Sequence, residues 1–109
     1  MGEVIKREVV VLGGGPGGYA AAFRAADLGR DVLIVEEQPK IGGVCLHVGC
    51  IPSKTLLHAA QVIRDAREIA SYGITFGTPD IDIKKLAGKK NEIVDKLASG
   101  VASLAEARK

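Results

Sequence analysis

Six residues, Gly13-Gly14-Gly15-Pro16-Gly17-Gly18, separate the apolar run Arg7-Glu8-Val9-Val10-Val11-Leu12 from an alanine-rich stretch that lasts to Leu28. A short β-branched run that stops abruptly at glycines reads as a buried parallel strand entering a tight turn. Gly17 to Leu28, with Tyr19, Phe23 and Leu28 as its bulk and Gly29 just beyond it, reads as a helix. Asp31-Val32-Leu33-Ile34-Val35 reads as a second strand, closed by Glu36 and Glu37. Strand, helix and strand within about thirty residues make a βαβ unit, so the fold class is α/β with a Rossmann-like start.

Gly13, Gly15 and Gly18 take the GxGxxG spacing, and Glu36 follows about 20 residues later, where a dinucleotide site needs an acid for ribose hydroxyls. The spacing has a mechanical basis. Gly13 makes the turn, Gly15 lets a pyrophosphate approach the backbone, and Gly18 lets the helix pack closely on the strand. The phosphates then meet free N–H groups at the positive end of a helix, so no lysine is needed there. No Gly-Lys-Ser/Thr follows, which excludes a Walker loop. Glycines can also serve backbone geometry alone, but the acid in register favours a nucleotide. The motif does not separate FAD from NAD.

After the βαβ unit, Gln38 to Gly49 reads as a loop or irregular turn. Pro52 fits the first turn of a helix running to about Ser71, with Leu56, Leu57, Ala60 and Ile63 as its apolar face and Arg64, Asp65, Arg67 and Glu68 mostly outward. Tyr72 to Pro79 is a connector in which Ile74-Thr75-Phe76 could add a short extended piece. Asp82 is a cap for a last long helix that runs nearly to Lys109, with Ile83, Leu86, Ile93, Leu97, Val101 and Leu104 on one stripe. Two strands and two long helices leave the parallel sheet incomplete. Both strand edges are open, so a chain with this content is expected to be marginally stable alone.

Composition limits function. Fifteen Lys plus Arg against 13 Asp plus Glu give a net charge of +2, which carries no nucleic-acid or membrane footprint. With 47% hydrophobic and 26% charged residues the chain reads as a soluble globular domain. No apolar run approaches the roughly 20 residues of a membrane span, and Val9 to Leu12 is too short for a signal-peptide core. A cytoplasmic location is the expectation. Lys84, Lys85, Lys89, Lys90 and Lys96, interrupted by Glu92 and Asp95, read as a solvated helix face. Tyr19 and Phe23 are expected in the core, and His58 as a hydrogen-bonded, partly buried side chain.

Cys45 and Cys50 are the two cysteines, spaced Cys45-Leu46-His47-Val48-Gly49-Cys50. In a reducing compartment such residues are free thiols, metal ligands or a catalytic pair. A metal site would draw on Cys45, His47, Cys50 and His58, but CxHxxC is not a usual zinc spacing, and no metal is expected. In a regular helix, residues five apart have Cα atoms about 8.6 Å apart, and a disulfide needs about 4.4 to 6.8 Å. The pair can oxidise only if the turn between them is tightened or irregular, and Gly49 is the residue that permits it. If Pro52 begins the helix, Cys50 lies at its positive end, which favours its thiolate, and Lys54 adds to that effect.

Gly13-Gly14-Gly15-Pro16-Gly17-Gly18, Val35-Glu36, Gly42-Gly43-Val44-Cys45 and Cys50-Ile51-Pro52-Ser53-Lys54 together resemble the N-terminal part of the FAD-dependent disulfide oxidoreductases. The resemblance covers essentially the whole chain. Ile51-Pro52-Ser53-Lys54 with Leu56-Leu57-His58 is most similar to the branch that oxidises dihydrolipoamide. By that resemblance Gly13, Gly15, Pro16 and Gly18 line the FAD pyrophosphate, Glu36 holds the adenosine ribose, and Glu37 with Gly42, Gly43, Val44 and Cys45 runs alongside the cofactor. Cys45 corresponds to the interchange thiol that attacks the disulfide substrate. Cys50 corresponds to the thiol facing the flavin, and Lys54 to the lysine that tunes it. Electrons would pass from dihydrolipoamide through the pair to FAD and on to NAD.

The resemblance also implies a lipoyl group of 2-oxo acid dehydrogenase complexes as the partner, and a homodimer. His47 stands where the family usually has asparagine, so a local hydrogen bond at the redox turn is expected to differ. The family's chain is several times longer, and no second GxGxxG occurs here. Residues 1–109 are therefore expected to be the first part of an FAD-binding domain, without the NAD-binding and dimer-interface domains, and inactive alone. The alternative is a nucleotide-binding module that holds ADP or FAD without catalysis.

Overall fold

The βαβ unit forms because its two apolar runs are each four residues long and are returned to the same direction by one helix. In the computed structural model, which describes residues 2–108, the order is β1 (Val9–Leu12), α1 (Pro16–Asp27), β2 (Val32–Val35), α2 (Gly43–His47), α3 (Cys50–Glu68), a single 3-10 turn (Ile69–Tyr72) and α4 (Ile83–Arg108). The strands are parallel, with Val9 opposite Val32 and Leu12 opposite Val35. The Gly13 N–H donates to the Val35 carbonyl at 2.8 Å, which carries the ladder into the glycine loop. Gly29, at φ 83°, closes α1 by donating to the Ala26 carbonyl at 2.9 Å. The architecture is α/β, as the glycine loop predicts.

Among the described residues the sheet has two strands, and only α1 packs on it from the chain's first half. The expectation of buried strands is therefore corrected. Val10 is half exposed and Leu12 is 81% exposed, so among the described residues their face of β1 is left largely in solvent. The segment 38–49, expected to be irregular throughout, contains the short helix α2. Ile74-Thr75-Phe76 joins no strand and lies in an irregular connection.

The two long helices pack on each other, but along faces rotated from the expected ones. On α3 the sheltered side chains are Pro52, Thr55, Ala59, Ile63 and Ala66, while Leu56, Leu57 and Ala60 face solvent. On α4 they are Leu86, Ile93, Val94, Ala98, Val101 and Ala105, while Ile83, Leu97 and Leu104 are exposed. The sheltered positions include small residues, Ala59 and Ala66 on α3 and Ala98 and Ala105 on α4, while bulky leucines on both helices are left outside. Asp82 caps α4 as expected, its carboxylate accepting the Lys85 N–H at 3.1 Å.

The buried apolar residues are Ala22, Leu46, Val94 and Ala98, so the core lies where α1, α2 and α4 meet. Tyr19 and Phe23 are half buried, with ring centroids 5.6 Å apart, instead of lying in that core. Arg108 lies over the Phe23 ring at 4.9 Å and bonds the Asp27 carboxylate at 2.8 and 3.3 Å, which fastens the end of α4 to α1. His58 is exposed on α3. It lies on the face that α4 leaves open, so the expectation of a partly buried histidine does not hold. The radius of gyration is 20.1 Å, against about 13 Å for a close-packed chain of this length. Two helices of 19 and 26 residues on a two-strand platform account for the difference.

Candidate functional site

The glycine loop lies at the C-terminal end of the sheet, and each expected glycine has a distinct steric role. A β-carbon at Gly18 would overlap the Gly13 carbonyl oxygen, so α1 can pack on β1 only if residue 18 has no side chain. Gly13 sits at φ 97° and turns the chain out of the strand. Around Gly13 and Gly17 there is open space on the outer side of the loop. Gly15 caps α1 without a side-chain bond, and no acidic residue stands in the first turn. The helix therefore offers an open glycine cradle at its positive end with no carboxylate of its own to fill it. That fits a pyrophosphate.

Glu36 turns back toward the loop. One carboxylate oxygen accepts the Gly14 N–H at 2.5 Å and the other accepts the Gln38 N–H at 3.3 Å. A carboxylate has about four acceptor positions, so two remain for ligand hydroxyls. Glu36 and Glu37 also line a groove of about 600 Å³ with Lys40, Gly43, Val44 and His47. The groove runs from the end of β2 to α2, and it joins the acids to Gly43 and Val44, two of the residues that the sequence resemblance singles out.

The loop and α2 are in direct contact. Gly42 donates its N–H to the Gly14 carbonyl at 2.7 Å. Gly43, at φ 68°, packs its Cα on Gly15, where a β-carbon would stand only 2.6 Å from the Gly15 Cα. The helix that carries Cys45 thus begins, at Gly43, against the glycine cradle.

Between the cysteines the helix is broken. α2 ends at His47, Val48 and Gly49 form a turn, and α3 begins at Cys50. Gly49 is needed for closeness: a β-carbon there would lie 2.9 Å from the Val44 carbonyl oxygen and 3.3 Å from the Cys45 Cα. The irregular turn that a disulfide requires is present, and both cysteines are free thiols in this structure. Cys50 is the first residue of α3, and the Ser53 N–H closes that first turn on the Gly49 carbonyl at 3.0 Å. Cys50 is exposed and Cys45 half buried.

The Cys45 thiol is pushed above its ordinary pKa. The largest cause is its hydrogen bond to the Cys50 sulfur, followed by burial and by the charge Cys50 carries when ionised. The Cys50 N–H and the Lys54 ammonium act in the opposite direction and do not reverse it. Lys54 therefore stands within electrostatic reach of the pair, one turn along α3. His47 is turned the other way, its Nε2 bonding the Ile41 carbonyl at 3.0 Å. Among the described residues no group of three or more His, Cys, Asp or Glu is placed to hold a metal ion. No described helix is long and apolar enough to cross a membrane.

The structure brings together Gly13, Gly15, Gly18, Glu36, Glu37, Gly42, Gly43, Val44 and Cys45, with Cys50 and Lys54 one turn further on. Pro16 is the first residue of α1, beside Gly15. Sequence reasoning missed Gly14 and Ile41, whose backbone groups bond Glu36, Gly42 and His47. No residue type signals a backbone acceptor, so only the fold reveals them.

Residues 7–109 match the pyridine nucleotide-disulphide oxidoreductase family. Over its whole length the chain is 55% identical to a dihydrolipoyl dehydrogenase of Buchnera aphidicola subsp. Acyrthosiphon pisum, of which it covers 23%. It is 52% identical, again over its whole length, to a dihydrolipoyl dehydrogenase of Vibrio cholerae, also covering 23%. With that of Bacillus subtilis the identity is 50% over 97 residues, 89% of this chain and 20% of the relative. The chain thus spans less than a quarter of the length of these relatives.

Proposed function

The chain belongs to the pyridine nucleotide-disulphide oxidoreductase family, and from that premise we propose that its 109 residues are the first part of the FAD-binding domain of a dihydrolipoyl dehydrogenase, carrying the redox-active pair Cys45 and Cys50. The observation that carries this reading is the broken helix between the cysteines, set directly against the glycine cradle through Gly42 and Gly43. A nucleotide module without redox chemistry has no need of that break.

In the proposed reaction a dihydrolipoyl thiolate attacks the Cys45 sulfur of the oxidised pair, the S–S bond breaks, and Cys50 leaves as a thiolate at the positive end of α3. The second thiol of the substrate then loses its proton and displaces Cys45, which leaves the lipoyl group as a cyclic disulfide. Two electrons have moved to the cysteine pair. The proton is held on Cys45, whose raised pKa and hydrogen bond to Cys50 keep it there. Gly13, Gly15, Pro16 and Gly18 would hold the FAD pyrophosphate, Glu36 its ribose, and Glu37 with Gly42 to Cys45 would follow the cofactor toward Lys54. Bound there, FAD would supply a two-electron acceptor for the pair and a donor for NAD. The whole protein is proposed as a cytoplasmic homodimer that serves the lipoyl groups of 2-oxo acid dehydrogenase complexes. The sequence resemblance and the relatives' names support that assignment.

The test is to saturate the oxidised chain with FAD, desalt it, and add one equivalent of dihydrolipoamide without oxygen. The expected result is retained flavin absorbance before addition and two alkylatable thiols afterward, lost in Cys45→Ser. A colourless protein that binds ADP equally well with or without its cysteines would reduce the function to nucleotide binding.

A further inference from the structure

The peptide unit joining Ile41 to Gly42 is bonded at both ends, and the two bonds lead to different halves of the site. Its carbonyl oxygen accepts from His47 Nε2 at 3.0 Å, and its N–H donates to the Gly14 carbonyl at 2.7 Å. Gly14 in turn gives its own N–H to Glu36. His47 is the last residue of α2, two after Cys45 and three before Cys50. A peptide group is planar and stiff, so its oxygen cannot move without tilting its N–H. Gly42 is buried, and a β-carbon on it would lie 2.9 Å from His47 Nε2, so the imidazole is pressed against this unit.

We infer that His47 is a positioning residue which, through the Ile41–Gly42 peptide, couples the thiol–disulfide equilibrium of Cys45 and Cys50 to occupation of the glycine cradle by a nucleotide pyrophosphate. The inference rests on the redox reading above. Closing the disulfide draws together the end of α2 and the start of α3, while a bound pyrophosphate pulls on the N–H groups beside Gly14. Both loads act on the same plate. A ligand that fixes the plate therefore changes the balance between dithiol and disulfide, and by linkage the oxidation state changes nucleotide affinity by the same factor. The coupling needs a donor at the reach of Nε2. Glutamine supplies one, asparagine falls short, and phenylalanine keeps the ring without the proton.

The chain and its variants His47→Gln, His47→Asn and His47→Phe are equilibrated with glutathione buffers without oxygen, with and without saturating ADP. Oxidised glutathione takes two electrons and two protons from the cysteine pair and leaves as two thiols, and the remaining thiols are counted by alkylation and mass. In the unsubstituted chain and in His47→Gln, ADP shifts the equilibrium constant by about fivefold or more. In His47→Asn and His47→Phe the shift is lost. If all four chains shift equally, or none does, the coupling is overturned and the redox reading stands. Thermal melts of the four chains show that a lost shift is not lost folding, and His47→Asn carries the test if His47→Phe does not fold. A pair that never closes in any buffer overturns the redox reading, and the coupling falls with it.

Discussion

Glu36 reaches across 22 residues to accept the backbone N–H of Gly14 at 2.5 Å, so the acid at the end of β2 braces the very loop it borders. Leaving a part-buried N–H without its charged acceptor costs about 1–3 kcal/mol. Glu36→Ala should therefore weaken ADP binding by about tenfold or more. Glu36→Gln keeps an acceptor oxygen and should lose clearly less. Titration calorimetry decides: an alanine variant that binds like the parent would mean the carboxylate serves neither loop nor ribose.

Neighbouring glycines of the loop should respond in opposite directions. Gly17 has open space around it, so Gly17→Ala gains up to about 1 kcal/mol of helix propensity. At Gly18 the same methyl meets the Gly13 carbonyl oxygen, and the cost of forcing it in, about 1–3 kcal/mol, exceeds that gain. Urea midpoints should rise for the first and fall for the second. Equal shifts would contradict the close packing of α1 on β1.

The reactivity of Cys45 depends on pH through its neighbour. A raised pKa means less thiolate at a given pH, so alkylation of Cys45 should set in at higher pH than for an ordinary thiol. Cys50→Ala removes the largest cause, and the midpoint should move down. Lys54→Met removes a lowering charge, and the midpoint should move further up. Iodoacetamide rates against pH, resolved by peptide mass, measure all three. A Cys45 midpoint unmoved by Cys50→Ala would separate the two sulfurs.

Arg108 ties α4 to α1 through Asp27 and Phe23. Asp27 is 43% exposed, so solvent screens the pair and its contribution stays within about 1 kcal/mol. A double-mutant cycle of Arg108→Ala and Asp27→Asn should give a coupling of that size that shrinks in high salt. Salt-independent coupling would point to packing instead of charge.

Among the described residues, open strand edges and a small buried core of Ala22, Leu46, Val94 and Ala98 give this chain little to hold it together by itself. Alone it should melt broadly, with a midpoint that rises with protein concentration as copies cover one another. A sharp, concentration-independent transition well above room temperature would refute this.

The sequence carried the βαβ unit because Val9–Leu12 and Val32–Val35 are pure β-branched or leucine runs, the first ended by glycine and the second by glutamate, and Gly18 announces helix-on-strand packing by its spacing alone. The break between Cys45 and Cys50 could be anticipated from disulfide geometry and Gly49. α2 could not, since five residues that begin with a glycine and follow another have no helical period to read. The packing faces of α3 and α4 were misjudged for a physical reason. Hydrophobic periodicity marks Leu56, Leu57, Leu97 and Leu104, but these are exposed, and alanines such as Ala59, Ala66 and Ala98 occupy sheltered positions. The carbonyls of Ile41 and Gly14 lie beyond any residue pattern, because every residue but proline has the same backbone donor and acceptor.

Gly15 and Gly43 share one wall: the Cα of each is the nearest neighbour of the space where the other's side chain would begin. Two turns far apart along the chain are thus bound to a common tolerance. A methyl group gained at residue 43 has to displace residue 15, whereas one gained at residue 15 meets residue 43 at ordinary contact distance, so the room for variation at one turn is set by the backbone of the other.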